Sequence, residues 1–167
     1  MRTEYIHRPA FGIIGSTRVV DAGRLGTARS EIWKAHDERC ALIPEVPRDE
    51  SEETIRRCSV GTHGACISTC NDTVEHLVGG IFDEGTIPQD MQVFRVPEGD
   101  WAVFSATGPA CETMDDLQRR VWTEWYPEVG ILLTPCGDAT IEHYGDRDSP
   151  DCRCELWVMV RRRPEGL

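Results

Sequence analysis

The chain has 167 residues, a formal net charge of −11 and 40% hydrophobic residues, which suffices for one ordinary domain or two small fused units. The negative charge argues against binding to nucleic-acid backbones, which reward clusters of Lys and Arg. No apolar run reaches the roughly 18 residues that span a membrane, and Met1–Ala10 lacks the apolar stretch of a signal peptide. We therefore expect a cytoplasmic protein without nucleic-acid or membrane partners.

The first part of the chain predicts one strand and one helix. Phe11–Ser16 is an apolar run that ends in small residues, which is typical of a strand. Thr27 is placed to cap a helix that runs to about Ala41 with one buried stripe. The prolines and acidic residues of Pro44–Glu53 indicate an exposed loop.

The middle of the chain predicts a β-hairpin. Cys58–Cys70 and Val74–Phe82 are rich in β-compatible residues, and Asn71-Asp72 offers the turn between them. The pair Gly79-Gly80 inside the second strand predicts a bulge or a close approach of two backbones. Two further strands follow at Met91–Val96 and Trp101–Ala106.

A second helix and a final hairpin complete the chain. Thr113, with Asp116 three residues later, has the pattern of a capping box, and Pro127 and Gly130 mark the helix end. The apolar face of this helix carries Met114, Leu117, Val121 and Trp125. The final hairpin pairs Ala139–Tyr144 with Arg153–Arg162.

This order predicts an α+β fold in which a βαββ unit occurs twice within a single domain of residues 1–167. The two halves span about 9–83 and 91–163. We expect antiparallel sheets, two main helices and a central ligand cleft between the halves, because pockets favour such junctions.

Residues 154–160, near the C-terminus, form a strand with two contrasting faces. Successive side chains of a strand point to opposite sides, so one face is wholly apolar and suits a core. The other face carries Glu155, Trp157 and Met159. A carboxylate between an indole and a thioether predicts a pocket for something apolar and positively charged.

The eight cysteines are spaced unlike a disulfide framework or a zinc site, because no Cys-x-x-Cys occurs. Cys66 and Cys70 would lie roughly 13 Å apart along a strand. Cys152 and Cys154 would lie about 6.6 Å apart, near the outer limit for a disulfide. We expect mostly buried, reduced thiols, with zinc as the alternative, and no cofactor or metal.

Six local phrases in this order resemble the GyrI-like small-molecule-binding family, which includes the effector-binding domains of AraC- and MerR-type multidrug regulators. Residues 96–104 (VPEGDWAVF) resemble the family's "IPAGxYAVF", and residues 154–160 (CELWVMV) resemble its closing "xEIWIPV". The other phrases are Ile32-Trp33-Lys34, Gly108-Pro109, residues 121–127 (VWTEWYP) and residues 141–144 (IEHY).

The resemblance implies paired βαββ units about a pseudo-twofold axis and a central aromatic pocket with an acidic residue at its base. Many relatives bind lipophilic cations there, and Glu155 is the closest match to the acid. The chain departs from the family at His76, where Tyr is common, and at Met159, which replaces the usual Pro. The predicted ligand-binding residues are Glu155, Trp157, Trp33, Trp125, Tyr144, His76, Phe82, Phe104 and Met159.

Several interpretations compete with this pocket. Glu155 can instead form an internal salt bridge with Arg153 or Arg95. One branch of the family hydrolyses cyclopropane-bearing natural products. In that case Glu155, with Tyr144 or His76, would activate water and protonate the opening ring. A third alternative is a protein-binding module that inhibits a topoisomerase.

We favour a ligand-binding protein over an enzyme. We expect it to be free-standing, because the residues before the first predicted strand leave no room for a helix-turn-helix. It would act on hydrophobic cationic or aromatic small molecules by sensing or sequestration, as a monomer or homodimer.

The cysteine pattern gives a first prediction. Denatured, unreduced protein should react with about eight equivalents of a thiol reagent, one for each cysteine in the sequence. A metal chelator should leave the melting temperature unchanged. A count of four or fewer, or a loss of stability with chelator, would contradict it.

Overall fold

The computed structural model describes residues 1–59, 61–69, 71–130 and 132–162. The chain divides into two compact units. Unit 1 comprises Met1–Pro9 and the residues from Glu98 onward, and unit 2 comprises Ala10–Pro97. Because the chain leaves unit 1 after Pro9 and returns to it at Glu98, unit 1 is built from both ends of the sequence.

The four strands of unit 2 pair antiparallel in the order β3-β4-β2-β5. A short 3-10 turn, Ala22–Arg24, leads from its first strand into the first helix. The elements are β2 (Phe11–Asp21), α1 (Leu25–Ala41), α2 (Glu50–Cys58), β3 (His63–Ser68), β4 (Thr73–Phe82) and β5 (Gln92–Val96).

The four strands of unit 1 pair antiparallel in the order β1-β6-β8-β7. Its helix α3 continues through a π-helical turn, Val121–Trp125, into α4. The elements are β1 (Arg2–Arg8), β6 (Gly99–Gly108), α3 (Ala110–Arg120), α4 (Tyr126–Val129), β7 (Leu133–Tyr144) and β8 (Cys152–Arg162).

The predicted α+β class with antiparallel strands is therefore confirmed. Each unit has a strand, a helical segment and two more strands, and a fourth strand pairs beside the first. The apolar face predicted for the second helix is also confirmed, because Met114, Leu117, Val121 and Trp125 are all buried.

The structure adds two elements that the sequence did not predict and corrects the start of the first helix. The strand β1 was missed, since Arg2–Arg8 is polar, and so was α2, which begins inside the predicted loop Pro44–Glu53. Asp49 caps α2 by accepting a hydrogen bond from the Glu52 amide at 2.8 Å, a signal that the sequence does contain. The prediction that Thr27 caps the first helix was wrong, because the helix begins at Leu25.

The capping box at Thr113 was also wrong. The helix begins at Ala110, and the Thr113 amide donates to the Pro109 carbonyl oxygen at 2.8 Å, so Thr113 lies within the first turn. Pro127 does not end the helical segment, since it sits in the first turn of α4, where a missing amide hydrogen is tolerated. The segment ends at Gly130, as predicted.

Among the described cysteines, no two are joined by a disulfide bond. Cys70 lies outside the described residues. The Cys152 and Cys154 sulfur atoms lie 3.7 Å apart. Burial, followed by the neighbouring Cys152, raises the pKa of Cys154 to about 12, so this thiol stays protonated at neutral pH.

The predicted close approach at Gly79 is confirmed in unit 2. Gly79 pairs with Gly15 across β4 and β2. A Cβ atom at Gly79 would lie 1.8 Å from the Ile14 carbonyl oxygen, and one at Gly15 would lie 1.9 Å from the Val78 carbonyl oxygen. Because both obstacles are backbone atoms, no side-chain rotation relieves the overlap.

We expect Gly79→Ala to lower the free energy of unfolding by about 3 kcal/mol, the upper part of the range for overpacking. Denaturant unfolding of the variant measures the loss. Gly23→Ala is the matched control, since a Cβ atom at Gly23 meets nothing within 4 Å. Equal stability of the two variants would contradict the close approach.

Candidate functional site

Strand β8 of unit 1 has the two contrasting faces that its sequence predicts. Cys154, Leu156 and Val158 are buried, and the Cys154 thiol donates to the Ala110 carbonyl oxygen of α3 at 3.6 Å. The helix therefore covers this side of the sheet. Glu155 and Trp157 point to the opposite side, because neighbouring strand residues alternate.

The Glu155 carboxylate is engaged on both oxygens. Its Oε2 atom accepts hydrogen bonds from the Trp157 indole Nε1 at 3.0 Å and from His143 Nδ1 at 3.2 Å. Its Oε1 atom accepts from Arg153 Nη2 at 3.2 Å and Nε at 3.3 Å. The side chain of Glu155 is 16% exposed and that of Arg153 is 61% exposed.

These contacts set the ionisation of Glu155. Burial alone opposes the charged form, but the hydrogen bonds from His143 and Trp157, with a further one from Arg153, outweigh it and lower the pKa of Glu155 below its ordinary value. The carboxylate is therefore negatively charged at neutral pH. The predicted alternative of a salt bridge with Arg153 is confirmed, whereas Arg95 lies over the Phe82 ring in unit 2.

The Trp157 indole is the centre of a cluster of rings and cations. The guanidinium carbon of Arg8 lies 4.4 Å from the ring centroid. The Trp101 ring meets Trp157 edge-on at 6.3 Å, and the His143 ring does so at 6.1 Å. Trp157 is buried, so its π face lies in a region of low dielectric where cation–π attraction is strengthened.

Strand register places the remaining members of this surface. Met159 pairs with Trp101, and Glu155 pairs with His143, so these side chains share one face of the sheet. Directly opposed residues of antiparallel strands lie on the same side. We name this surface the indole face, and it consists of Arg8, Trp101, His143, Arg153, Glu155, Trp157 and Met159.

Three other predicted site residues lie on the helix-covered side of the same sheet. The Phe104 and Trp125 rings meet edge-on at 4.9 Å, and the Trp125 indole donates to the Tyr5 hydroxyl at 3.2 Å. The Tyr144 hydroxyl donates to Glu142 Oε2 at 3.2 Å. The structure therefore does not bring Tyr144 to Glu155.

The last three predicted site residues belong to unit 2. Trp33 is buried on α1, where its ring meets the His36 ring edge-on at 6.0 Å. His76 and Phe82 are buried on β4. Phe82 belongs to an apolar cluster with Ile14, Ile55, Cys58 and Met91.

Sequence reasoning missed three residues of chemical interest, Arg8, Trp101 and Glu142. Arg8 and Trp101 join the indole face, and Glu142 is a fully buried carboxylate on the other side of the sheet. Glu142 and Trp101 lie inside phrases that carry the family resemblance. Knowledge of the strand register would have assigned each of them to a face of the sheet. Arg8 had no such signal, since its strand was not predicted.

Two cavities of unit 1 border this region. A cavity of about 340 Å³ runs along the indole side beside Arg153, and its lining includes Arg2, Ser105 and Thr107. A cavity of about 430 Å³ lies at the strand ends and reaches the indole face only at Trp101. The lining of the larger cavity is Tyr5, Ile6, His7, Asp100, Trp101, Leu133, Val160, Arg161 and Arg162.

Within the described part of the chain, no helix is long and apolar enough to cross a membrane.

Solved structures of other proteins have a similar fold. SAV2435 bound to tetraphenylphosphonium has a TM-score of 0.75 with 14% identity, over 96% of this chain and 94% of that one. The integron cassette protein VCH_CASS2 of Vibrio cholerae has a TM-score of 0.62 with 15% identity, over 95% of each chain. At such identities the likeness concerns the fold alone.

A curated relative points in the same direction. The transcriptional regulator BrlR of Pseudomonas aeruginosa is 24% identical over 165 residues, which are 96% of this chain. The chain spans 56% of the length of BrlR. The predicted resemblance to the GyrI-like effector-binding fold is confirmed, so the protein is an effector-binding domain of that class.

More narrowly, the chain belongs to the Cass2 family of integron-associated effector binding proteins, whose pattern matches residues 7–160. Both Arg8 and the Glu155–Trp157 pair fall inside the matched region.

The contacts of Glu155 give a prediction on stability. Its pKa is lowered in the folded state, so the carboxylate contributes stability above the ordinary pKa of 4.5 and loses it as the pH falls through the folded-state pKa. We expect Glu155→Gln to lower the free energy of unfolding by about 1.5 kcal/mol at neutral pH, the lower end for a hydrogen bond to a charged group. Urea unfolding at pH 7 and near pH 3 measures this difference, which should shrink at the lower pH.

Asp151→Asn provides the control. Asp151 is an exposed acid in the same hairpin, and its substitution removes the same charge. It should change stability by less than about 0.5 kcal/mol. A Glu155→Gln variant as stable as the wild type at neutral pH would contradict a stabilising role for the carboxylate.

Proposed function

We propose that this domain binds bulky hydrophobic cations with aromatic groups, and that Glu155 and Trp157 of the indole face receive the charge. The observation that carries the proposal is the hydrogen bond from the Trp157 indole to the Glu155 carboxylate. It joins a negative charge and an aromatic face in one partly buried place. Delocalised organic cations are attracted by both.

The arithmetic supports useful affinity. A desolvated cation–π contact contributes about 2 kcal/mol or more, and Coulomb attraction to a carboxylate about 5 Å away contributes about 3 kcal/mol at an effective dielectric constant near 20. Apolar contact with Trp101 and Met159 adds burial at about 25 cal/mol per Å². Together these terms support micromolar binding, near −8 kcal/mol.

The relatives support the same ligand class. SAV2435 is named as bound to tetraphenylphosphonium, a cation with four phenyl groups, and this chain's own family is one of effector binding proteins. We extend that class of ligand to the indole face. Binding would serve sensing or sequestration of such compounds, and BrlR, a transcriptional regulator, favours sensing.

The hydrolase alternative pairs Glu155 with the Tyr144 hydroxyl or the His76 imidazole. Tyr144 donates its hydroxyl to Glu142 on the other side of the sheet, and the imidazole beside Glu155 is that of His143. Among the described residues, Tyr144 and Glu155 lie on opposite sides of the sheet, because Tyr144 pairs with Cys154 and Glu155 pairs with His143. We therefore propose binding without turnover.

Calorimetric titration with tetraphenylphosphonium tests the proposal, with neutral triphenylphosphine oxide as the matched compound. We expect micromolar binding of the cation and a tenfold to hundredfold loss in Glu155→Gln, since the Coulomb attraction is removed and the shape is kept. The neutral compound should bind both proteins about equally. Trp157→Leu should weaken both compounds.

Equal weakening of the cation and the neutral compound in Glu155→Gln would mean that the carboxylate only supports the fold. That result would contradict charge recognition. Turnover of a strained electrophile that disappears in Glu155→Gln would support the hydrolase instead.

A further inference from the structure

The Trp157 ring of the indole face already contacts a cation of the chain itself. The Arg8 guanidinium carbon lies 4.4 Å above the Trp157 ring centroid. This distance is well within the range of a cation–π contact. Any ligand that stacks on the covered side of the indole must take the place of Arg8.

The N-terminal strand holds Arg8 in this position. Strand β1 pairs with β6 along its whole length, and Arg8 lies opposite Gly99. His7, which points to the other side, contacts Asp100 through Nδ1 at 2.7 Å and Glu98 through Nε2 at 3.0 Å. Both contacts lie at the end of β1, and Arg8 follows on the side of the sheet that carries Trp157.

The acid of the indole face has an internal cation as well. Arg153 contacts Glu155 Oε1 through two guanidinium nitrogens. Both features that would recognise a cationic ligand, the indole ring and the carboxylate, are thus satisfied by arginines of unit 1.

Both arginines are at the surface. Arg8 is exposed, and the side chain of Arg153 is 61% exposed. A displaced guanidinium can therefore be hydrated at once, because its own charge is not left buried. Displacement is easier here than for a buried ion pair.

We propose that Arg8 is an internal competitor that sets the specificity of the indole face. This proposal rests on the proposed function. A ligand must form more contact with Trp157 and its neighbours than the guanidinium does. Small cations fail this test, whereas large delocalised cations with aromatic groups also reach Trp101 and Met159.

The effect on affinity follows from competition for one surface. Apparent affinity is reduced by the fraction of molecules in which the binding surface is available. Replacing Arg8 raises that fraction. Because Arg8 is exposed, the usual strength of such an Arg–Trp contact leads us to expect about a twofold to fivefold gain in affinity.

The test is Arg8→Gln, titrated with tetraphenylphosphonium and with triphenylphosphine oxide. Both compounds should bind more tightly, because each gains access to the ring. A purely electrostatic role for Arg8 would instead tighten the cation alone. Arg119→Gln is the control, since it removes an equal charge from the exposed surface of α3 and should change both affinities less than twofold.

A second measurement follows Arg8 directly in the wild-type protein. The Arg8 side-chain NMR signals should show the upfield shift of a group above an aromatic ring. Saturating tetraphenylphosphonium, or the Trp157→Leu substitution, should move them to the values of an exposed arginine.

The outcomes separate the two proposals. If the wild type binds the cation in a Glu155-dependent way but Arg8→Gln binds both compounds no more tightly, only the competitor role is wrong. Weaker binding in Arg8→Gln would make Arg8 part of the ligand site, which also overturns it. If neither protein binds the cation, both proposals fail.

Discussion

The hydrogen bond from the Trp157 indole to the Glu155 carboxylate is the interaction on which the candidate site depends. It fixes the ring plane of Trp157 and keeps one carboxylate oxygen satisfied. Both residues lie on β8, whose opposite side packs beneath α3 through Leu156 and its apolar neighbours. The buried face of β8 therefore fixes the position of the strand, and the strand in turn sets the direction of the Glu155 and Trp157 side chains.

Charge is balanced locally on this surface. A partly buried carboxylate without partners would be unstable, and here His143, Trp157 and Arg153 all donate to it. The same partners lower the pKa of Glu155, so the negative charge persists at neutral pH. Because Arg153 is largely exposed, its contact is the one most readily exchanged for another cation.

The topology brings the two ends of the chain together in unit 1. Strand β1 precedes unit 2 in sequence but pairs with β6. Strand β5 pairs with β2 within unit 2 before the chain returns to unit 1. In each unit the fourth strand extends a βαββ sheet, and in unit 1 that strand delivers Arg8.

The sequence by itself determined the α+β class, most strands and the two faces of β8, because alternation and helical periodicity are local properties. It also indicated the close approach at Gly79, where a glycine pair interrupts a strand. The N-terminal strand escaped detection because an edge strand with polar residues carries no hydrophobic signal. Which aromatic residues share a surface was decided by strand register, which set Phe104 and Tyr144 apart from Trp157. The contact of Arg8 with Trp157 was decided by tertiary structure alone, since only long-range pairing of β1 with β6 brings such distant residues together.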